Sequence, residues 1–167
     1  MSSLRKRAPR RSSAADPKDA AAAERAAVTL LARRDYACGE LEGRLRERGY
    51  APELIGPLIE QLRARRMLDD ERYAGHFVEY HSARGQGPLR IRRDLSAAGV
   101  ASELIEAALA AGPDWAALAQ QVRRRRFGAK PPQVWREKGR QARFLQYRGF
   151  STDHIRTALG TDFELDQ

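Results

Sequence analysis

Apolar residues recur with helical spacing along nearly the whole chain, and alternating runs that would mark strands are absent. Leu54, Ile55, Leu58 and Ile59 fall on one helical face, as do Leu104, Ile105, Ala108 and Leu109. Gly and Pro cut the pattern at regular intervals. The spacing predicts helices near 17–34, 38–48, 52–66, 70–83, 88–98, 102–111, 113–127, 132–148 and 152–159.

The pattern repeats at an offset of about 50 residues. Three segments align, beginning at Leu41, Ile91 and Gln141. Leu45, Leu95 and Leu145 coincide, as do Gly49, Gly99 and Gly149, and Ile55, Ile105 and Ile155. Tyr50, Val100 and Phe150 form one apolar position, and Glu53, Glu103 and Asp153 one acidic position. Each match has a physical reading. A Leu four residues before Gly lies on a buried face. A Gly just past a helix end takes the left-handed conformation of a cap. An acid early in the next helix meets the positive end of its dipole. The unit is a helix–Gly–helix hairpin used three times, and Asp16, Asp69 and Asp114 each mark the start of the helix that precedes a hairpin.

These regularities predict an all-α protein of three tandem three-helix repeats in an elongated, curved array. The expected parts are a disordered basic arm at 1–15, repeats at 16–66, 67–112 and 113–160, and an acidic tail at 161–167. The arm is too poor in hydrophobes to fold alone, and is either a solvated tail or a nucleic-acid contact. Each unit is small for an independent core, so neighbours are expected to stack.

Charge then narrows the partner. The 167 residues carry 31 Lys and Arg against 22 Asp and Glu, a formal charge of +9. Residues 31–80 hold nine bases and ten acids, whereas 84–148 hold fourteen bases and five acids. The excess comprises Arg84, Arg90, Arg92, Arg93, Arg123, Arg124, Arg125, Arg126, Lys130, Arg136, Lys138, Arg140, Arg143 and Arg148. A basic surface on units two and three, aimed at phosphates or an acidic protein groove, is the preferred reading. Within it Arg84, Arg90, Arg92, Arg93, Arg123, Arg124, Arg126, Lys130, Arg136, Lys138, Arg140, Arg143 and Arg148 are the candidate contacts. A solvated helix end beside its own dipole is the plainer alternative for Arg123–Arg126. Phe127, Trp135, Phe144, Tyr147 and Phe150 lie among these bases; most suit a core, and Trp135 is the best exposed candidate.

Catalytic signals are missing. No P-loop, zincin or nucleophile-elbow motif appears. His76 and His81 do not share a helix face. His154 suits a partly buried position better than a metal. Asp69, Asp70 and Glu71 stand where a helix begins, and capping accounts for all three. The single cysteine, Cys38, fits a reducing cytosol and excludes a disulfide scaffold. No apolar run reaches the roughly 20 residues that span a bilayer. These features predict a non-enzymatic cytoplasmic monomer with no cofactor and no membrane partner.

The tripled hairpin, the segment MLDDERYAGHFV, the G-Q-G-P loop and RQARFLQYRGFS together resemble the RecX family of bacterial recombinase regulators. The resemblance covers about residues 25–160. Leu68 to Ala74 and Arg143 to Ser151 match its two signatures. The resemblance implies three tandem three-helix repeats and binding to the RecA recombinase filament on single-stranded DNA, along the filament groove. It implies inhibition of strand exchange and of co-protease activity in DNA repair and the SOS response. A direct nucleic-acid-binding repeat protein, touching single- or double-stranded DNA, is the alternative. Two positions depart from the pattern. Gln141 replaces the apolar residue of Leu41 and Ile91, which should weaken the third core, and Ala37-Cys38 stands where a Ser cap and a base are frequent.

Overall fold

A computed structural model of the protein describes residues 18–160. The described residues form nine helices and no strand: α1 (Ala20–Leu31), α2 (Cys38–Glu47), α3 (Pro52–Ala64), α4 (Asp70–Ala83), α5 (Pro88–Ala97), α6 (Ser102–Ala110), α7 (Trp115–Phe127), α8 (Trp135–Arg148) and α9 (Thr152–Leu159). The helices group in threes, and within every trio each helix packs on both others.

The starts and stops follow from the residues. Asp69 accepts from Arg72 N at 2.9 Å, and Asp114 accepts from Ala116 N and Ala117 N at 3.0 Å. Asp16 lies outside the described residues. The side chain that caps α1 is Asp19, which accepts from Ala22 N at 2.8 Å, and the helix begins at Ala20 instead of 17. α8 begins at Trp135, three residues later than the periodicity predicts. Pro132 biases Pro131 away from the helical region, and 131–134 is not helical.

The glycines of the repeat end α2, α5 and α8 in one way. Gly49, Gly99 and Gly149 have φ of 91°, 82° and 92°. The following residue reaches back five positions in each case: Tyr50 N to Leu45 O, Val100 N to Leu95 O, and Phe150 N to Leu145 O, at 3.1–3.3 Å. That is the Schellman closure, which satisfies end carbonyls and folds an apolar side chain onto its own helix. Leu45, Leu95, Leu145, Ile55, Ile105 and Ile155 are all buried.

Each unit closes its own core. Leu41, Leu45, Ile55, Ile59 and Leu62 centre the first; Ile91, Leu95, Ile105 and Leu109 the second; Leu145, Phe150, Ile155 and Leu159 the third. The units therefore do not share one continuous core. They meet end to end through their second helices, in an order opposite to the chain. The start of α5 meets the end of α8, and the start of α2 meets the end of α5. A Cβ on Gly39 would lie 2.9 Å from Gly99 Cα and from Ala98 O, so backbones touch at the first joint. There Asp70 accepts from Cys38 N at 2.8 Å. α2 has no side-chain cap of its own, and the second unit supplies one. Capping accounts for Asp69 and Asp70, but Asp70 caps the neighbouring unit's helix and not its own.

Candidate anion-binding seam

The second joint is built by the G-Q-G-P loop. Gly85, with φ of 75°, turns the chain after α4, and a Cβ there would meet Val122 of α7 at 2.8 Å. Gly87 N then donates to Arg148 O at 2.8 Å and Leu89 N to Gly149 O at 3.0 Å. The free N–H groups of α5 are thus satisfied by the free carbonyls of α8. A Cβ on Gly87 would fall 2.3 Å from Gly149 O, so only glycine fits the loop.

This joint fixes two basic depressions. The first is a cleft of about 240 Å³ lined by Ala83, Arg84, Gly85, Val122, Arg125, Arg126, Phe144 and Arg148. The Arg148 guanidinium lies 5.3 Å from the Phe144 ring centre and donates to Arg84 O at 3.2 Å. The Arg84 guanidinium lies 3.7 Å over Tyr80. Within the described residues none of Arg84, Arg125, Arg126 and Arg148 has an ion-pair partner. Four uncompensated guanidinium groups over an apolar floor suit an anion with several oxygens, which accepts their paired donors.

The second depression, about 410 Å³, is lined by Leu89, Arg90, Arg93, Gln146, Tyr147 and Gly149. Arg90 and Arg93 share Asp94, at 3.8 and 2.9 Å, and so are partly neutralised. The Arg90 guanidinium sits 5.9 Å from the Tyr147 ring centre, and Tyr147 is 77% exposed. Tyr147 is an outward aromatic, more exposed than Trp135, which the sequence pattern names as the best exposed candidate.

The other candidates separate. Arg92 is locked bidentate on Glu106 at 2.6 and 2.8 Å, which holds the Glu106 carboxyl below its ordinary range. Arg140 pairs with Glu137 at 3.0 Å. Arg124 is exposed on the last turn of α7. Lys130, Arg136, Lys138 and Arg143 line neither depression. Trp135 is 56% exposed at the start of α8.

Arg123 is a correction: it is 3% exposed and cannot meet a partner. Its guanidinium donates to Lys130 O and Ala129 O at 3.1 Å and to Gln141 Oε1 at 3.5 Å. Burial pushes its pKa down, aided by Arg124. Four consecutive arginines span a full turn, so one must face inward. Ala119, Val122 and Arg123 have the i, i+3, i+4 spacing of the buried face. Gln141 was the available signal, since a polar side chain at a core position requires a partner. Conversely Arg125 belongs to the cleft, although the sequence reading omits it from the contacts.

His154 and the thiol sit at structural positions. His154 forms a capping box, with Ser151 N donating to its Nδ1 at 3.3 Å and its own N–H donating to Ser151 Oγ at 3.3 Å. Cys38 is half-buried, and burial, with Asp70 beside it, pushes its pKa up to about 12. Among the described residues no three His, Cys, Asp or Glu side chains could hold a metal ion, and no helix is long and apolar enough to cross a membrane.

Comparison with known proteins agrees with this architecture. Family profiles for the first, second and third three-helix domains of RecX match residues 23–62, 69–109 and 114–159. A regulatory protein RecX of Halorhodospira halophila is 45% identical over 143 residues, covering 85% of this chain and 89% of that protein. One from Pseudomonas fluorescens Pf-5 is 40% identical, covering 83% and 90%. The crystal structure of RecX from Lactobacillus salivarius superposes with a TM-score of 0.72 at 23% identity, over 84% of this chain and 94% of that one. Three matched units in the right order, and relatives similar over nearly their whole length, show that the chain belongs to the RecX family of regulatory proteins.

Proposed function

We propose that this protein regulates the RecA recombinase, mainly as an inhibitor, by lodging in the groove of the RecA filament on single-stranded DNA. The contact surface is the seam between the second and third units. Family membership supports a regulatory role. The observation that carries the surface is the cleft of Arg84, Arg125, Arg126 and Arg148, four cations with no ion-pair partner among the described residues. Uncompensated charge at a joint between rigid units is available to a partner, whereas Arg92 and Arg140 are already paired. The protein acts as a cytoplasmic monomer, without catalysis and without a cofactor, by modulating strand exchange and co-protease activity.

The test is RecA-driven ATP hydrolysis on single-stranded DNA, titrated with each variant at fixed salt. Arg125→Glu with Arg126→Glu raises the concentration needed for half inhibition at least about tenfold, the size expected from placing like charges in a contact. Arg90→Glu with Arg93→Glu has a smaller effect, because Asp94 already offsets those two. Circular dichroism remains that of the parent in both. Full inhibition by both variants would remove the seam from the contact. Tight binding to free DNA with a steep salt slope, and none added by recombinase, would favour direct nucleic-acid binding instead.

A further inference from the structure

Among the described residues no large apolar side chain is more exposed than Tyr147. A single exposed ring is ordinary. Tyr147 differs in its surroundings. It stands two residues before Gly149, where the end of α8 is held to the start of α5 by the bonds from Gly87 N and Leu89 N. The ring is therefore carried on backbone that two units fix. Leu89, 47% exposed, adds an apolar wall to the same depression. Arg90 flanks the ring, and its 3.8 Å approach to Asp94 is longer than a hydrogen bond, so its terminal donors stay open. Arg93 holds the same carboxylate at 2.9 Å, so two guanidinium groups share one acid and the depression keeps a net positive charge. Arg143, four residues before Tyr147, lies on the same face of α8, exposed and without an ion-pair partner among the described residues. Gln146, also exposed, brings an amide that both donates and accepts.

A flat apolar face between cations matches a ligand that alternates planar rings with anionic groups. Single-stranded nucleic acid does this at every nucleotide, and its bases stack on aromatic side chains beside arginine. An acidic protein groove would pair the cations and leave the ring unused. A duplex keeps its bases stacked on one another and offers the depression only phosphates.

We propose that the Tyr147 depression takes one unstacked base of a single strand. The base lies on the Tyr147 ring, the flanking phosphates meet Arg93 and Arg143, and Gln146 hydrogen-bonds the base edge. The proposal rests on the reading of the seam as the contact surface, and names the single strand as the ligand of this half of it.

The experiment uses the full chain and two fluorescent strands of equal length. One is an oligothymidylate; the other is abasic at its internal positions, so the phosphates match and the bases do not. The parent binds the oligothymidylate more tightly. Tyr147→Ala lowers that affinity roughly five- to thirtyfold, the size of one stacked base, and changes affinity for the abasic strand and for a duplex less than about twofold. Tyr147→Phe keeps the ring and stays within about twofold of the parent on every strand. The salt slope on oligothymidylate is the same for the parent and Tyr147→Ala, because no phosphate contact is lost. Alanine suits an exposed helical position, so circular dichroism is unchanged. Equal weakening on both single strands, or none on either, would overturn the proposal. A Tyr147→Phe as weak as Tyr147→Ala would do the same, by assigning the contact to the hydroxyl. Loss of filament inhibition in Tyr147→Ala, with no preference of the parent for the base-bearing strand, would give the ring to a protein contact instead. The reading beneath fails separately. Full inhibition by both arginine double variants would remove the seam from the filament contact, while a base preference lost in Tyr147→Ala would still uphold the stacking site.

Discussion

Arg123 and Gln141 exchange a hydrophobic contact for a polar one inside the third unit. At the corresponding core positions the first two units place Leu41 and Ile91, which are fully buried. Gln141 is 4% exposed and accepts from a guanidinium that also holds two loop carbonyls. Removing the arginine alone strands those acceptors, so Arg123→Ala should cost about 1–3 kcal/mol in urea unfolding. Replacing both, Arg123→Met with Gln141→Leu, should cost clearly less than the sum of the single changes, because Gln141 Oε1 is then no longer left without its donor, while the carbonyls of Ala129 and Lys130 lose theirs in either case. Strict additivity would mean that the two side chains do not interact. Cys38 offers a second residue-scale check. Its thiol titrates at about 12 instead of 9, chiefly through burial and then through Asp70. The folded state therefore favours the protonated thiol. That contribution is complete below pH 9 and is lost as pH rises from 9 to 12. Alkylation near pH 9 should be much slower in the folded protein than in urea, and Asp70→Asn should speed it by lowering the pKa. Equal folded and unfolded rates would contradict the burial of this thiol.

At the scale of elements, three identical helix ends have different surroundings. Gly49 has nothing within 4 Å of an added Cβ, whereas Gly149 would press Arg90 Cβ at 2.4 Å and its backbone N at 2.6 Å. Gly49→Ala should cost only the left-handed strain, about 1–2 kcal/mol. Gly149→Ala should cost more, because the joint with α5 must also open, and Gly99→Val should behave likewise against Gly39. Equal losses at all three positions in thermal unfolding would mean that the joints contribute no stability. Much of this level is legible in the chain. The period of the apolar residues and the spacing of the glycines give the all-α class and the threefold organisation. The errors fall where local signals compete. Asp16-Pro17 and Asp19 both read as helix starts, and the described cap is Asp19. The joints are harder to read, because Gly39 and Gly87 have the local sequence of ordinary loops and caps. Their purpose depends on backbone from another unit. The cleft is harder still: a run of four arginines does not say which one faces inward until the phase set by Ala119 and Val122 is known.

The whole molecule is a chain of small cores joined through helix ends, with α8, α5 and α2 laid in sequence. At 1.5 Å per residue those three helices sum to about 50 Å, longer than a sphere of this mass would allow for one path. Solution scattering should give an elongated body, and a compact globular profile would contradict the end-to-end joints. The same layout separates tasks. The first unit has near-balanced charge, while the seam between the second and third concentrates guanidinium groups that have no ion-pair partner among the described residues. Under the proposed function, the basic seam at this joint is the surface that meets a periodic partner such as a nucleoprotein filament. The most direct test of that claim is electron microscopy of the RecA–single-stranded DNA filament with this protein bound, at a resolution that places its helices. The account predicts density in the filament groove, with α7 and the Gly85–Pro88 loop turned toward the filament. Density that leaves Arg84, Arg125, Arg126 and Arg148 facing solvent would contradict it.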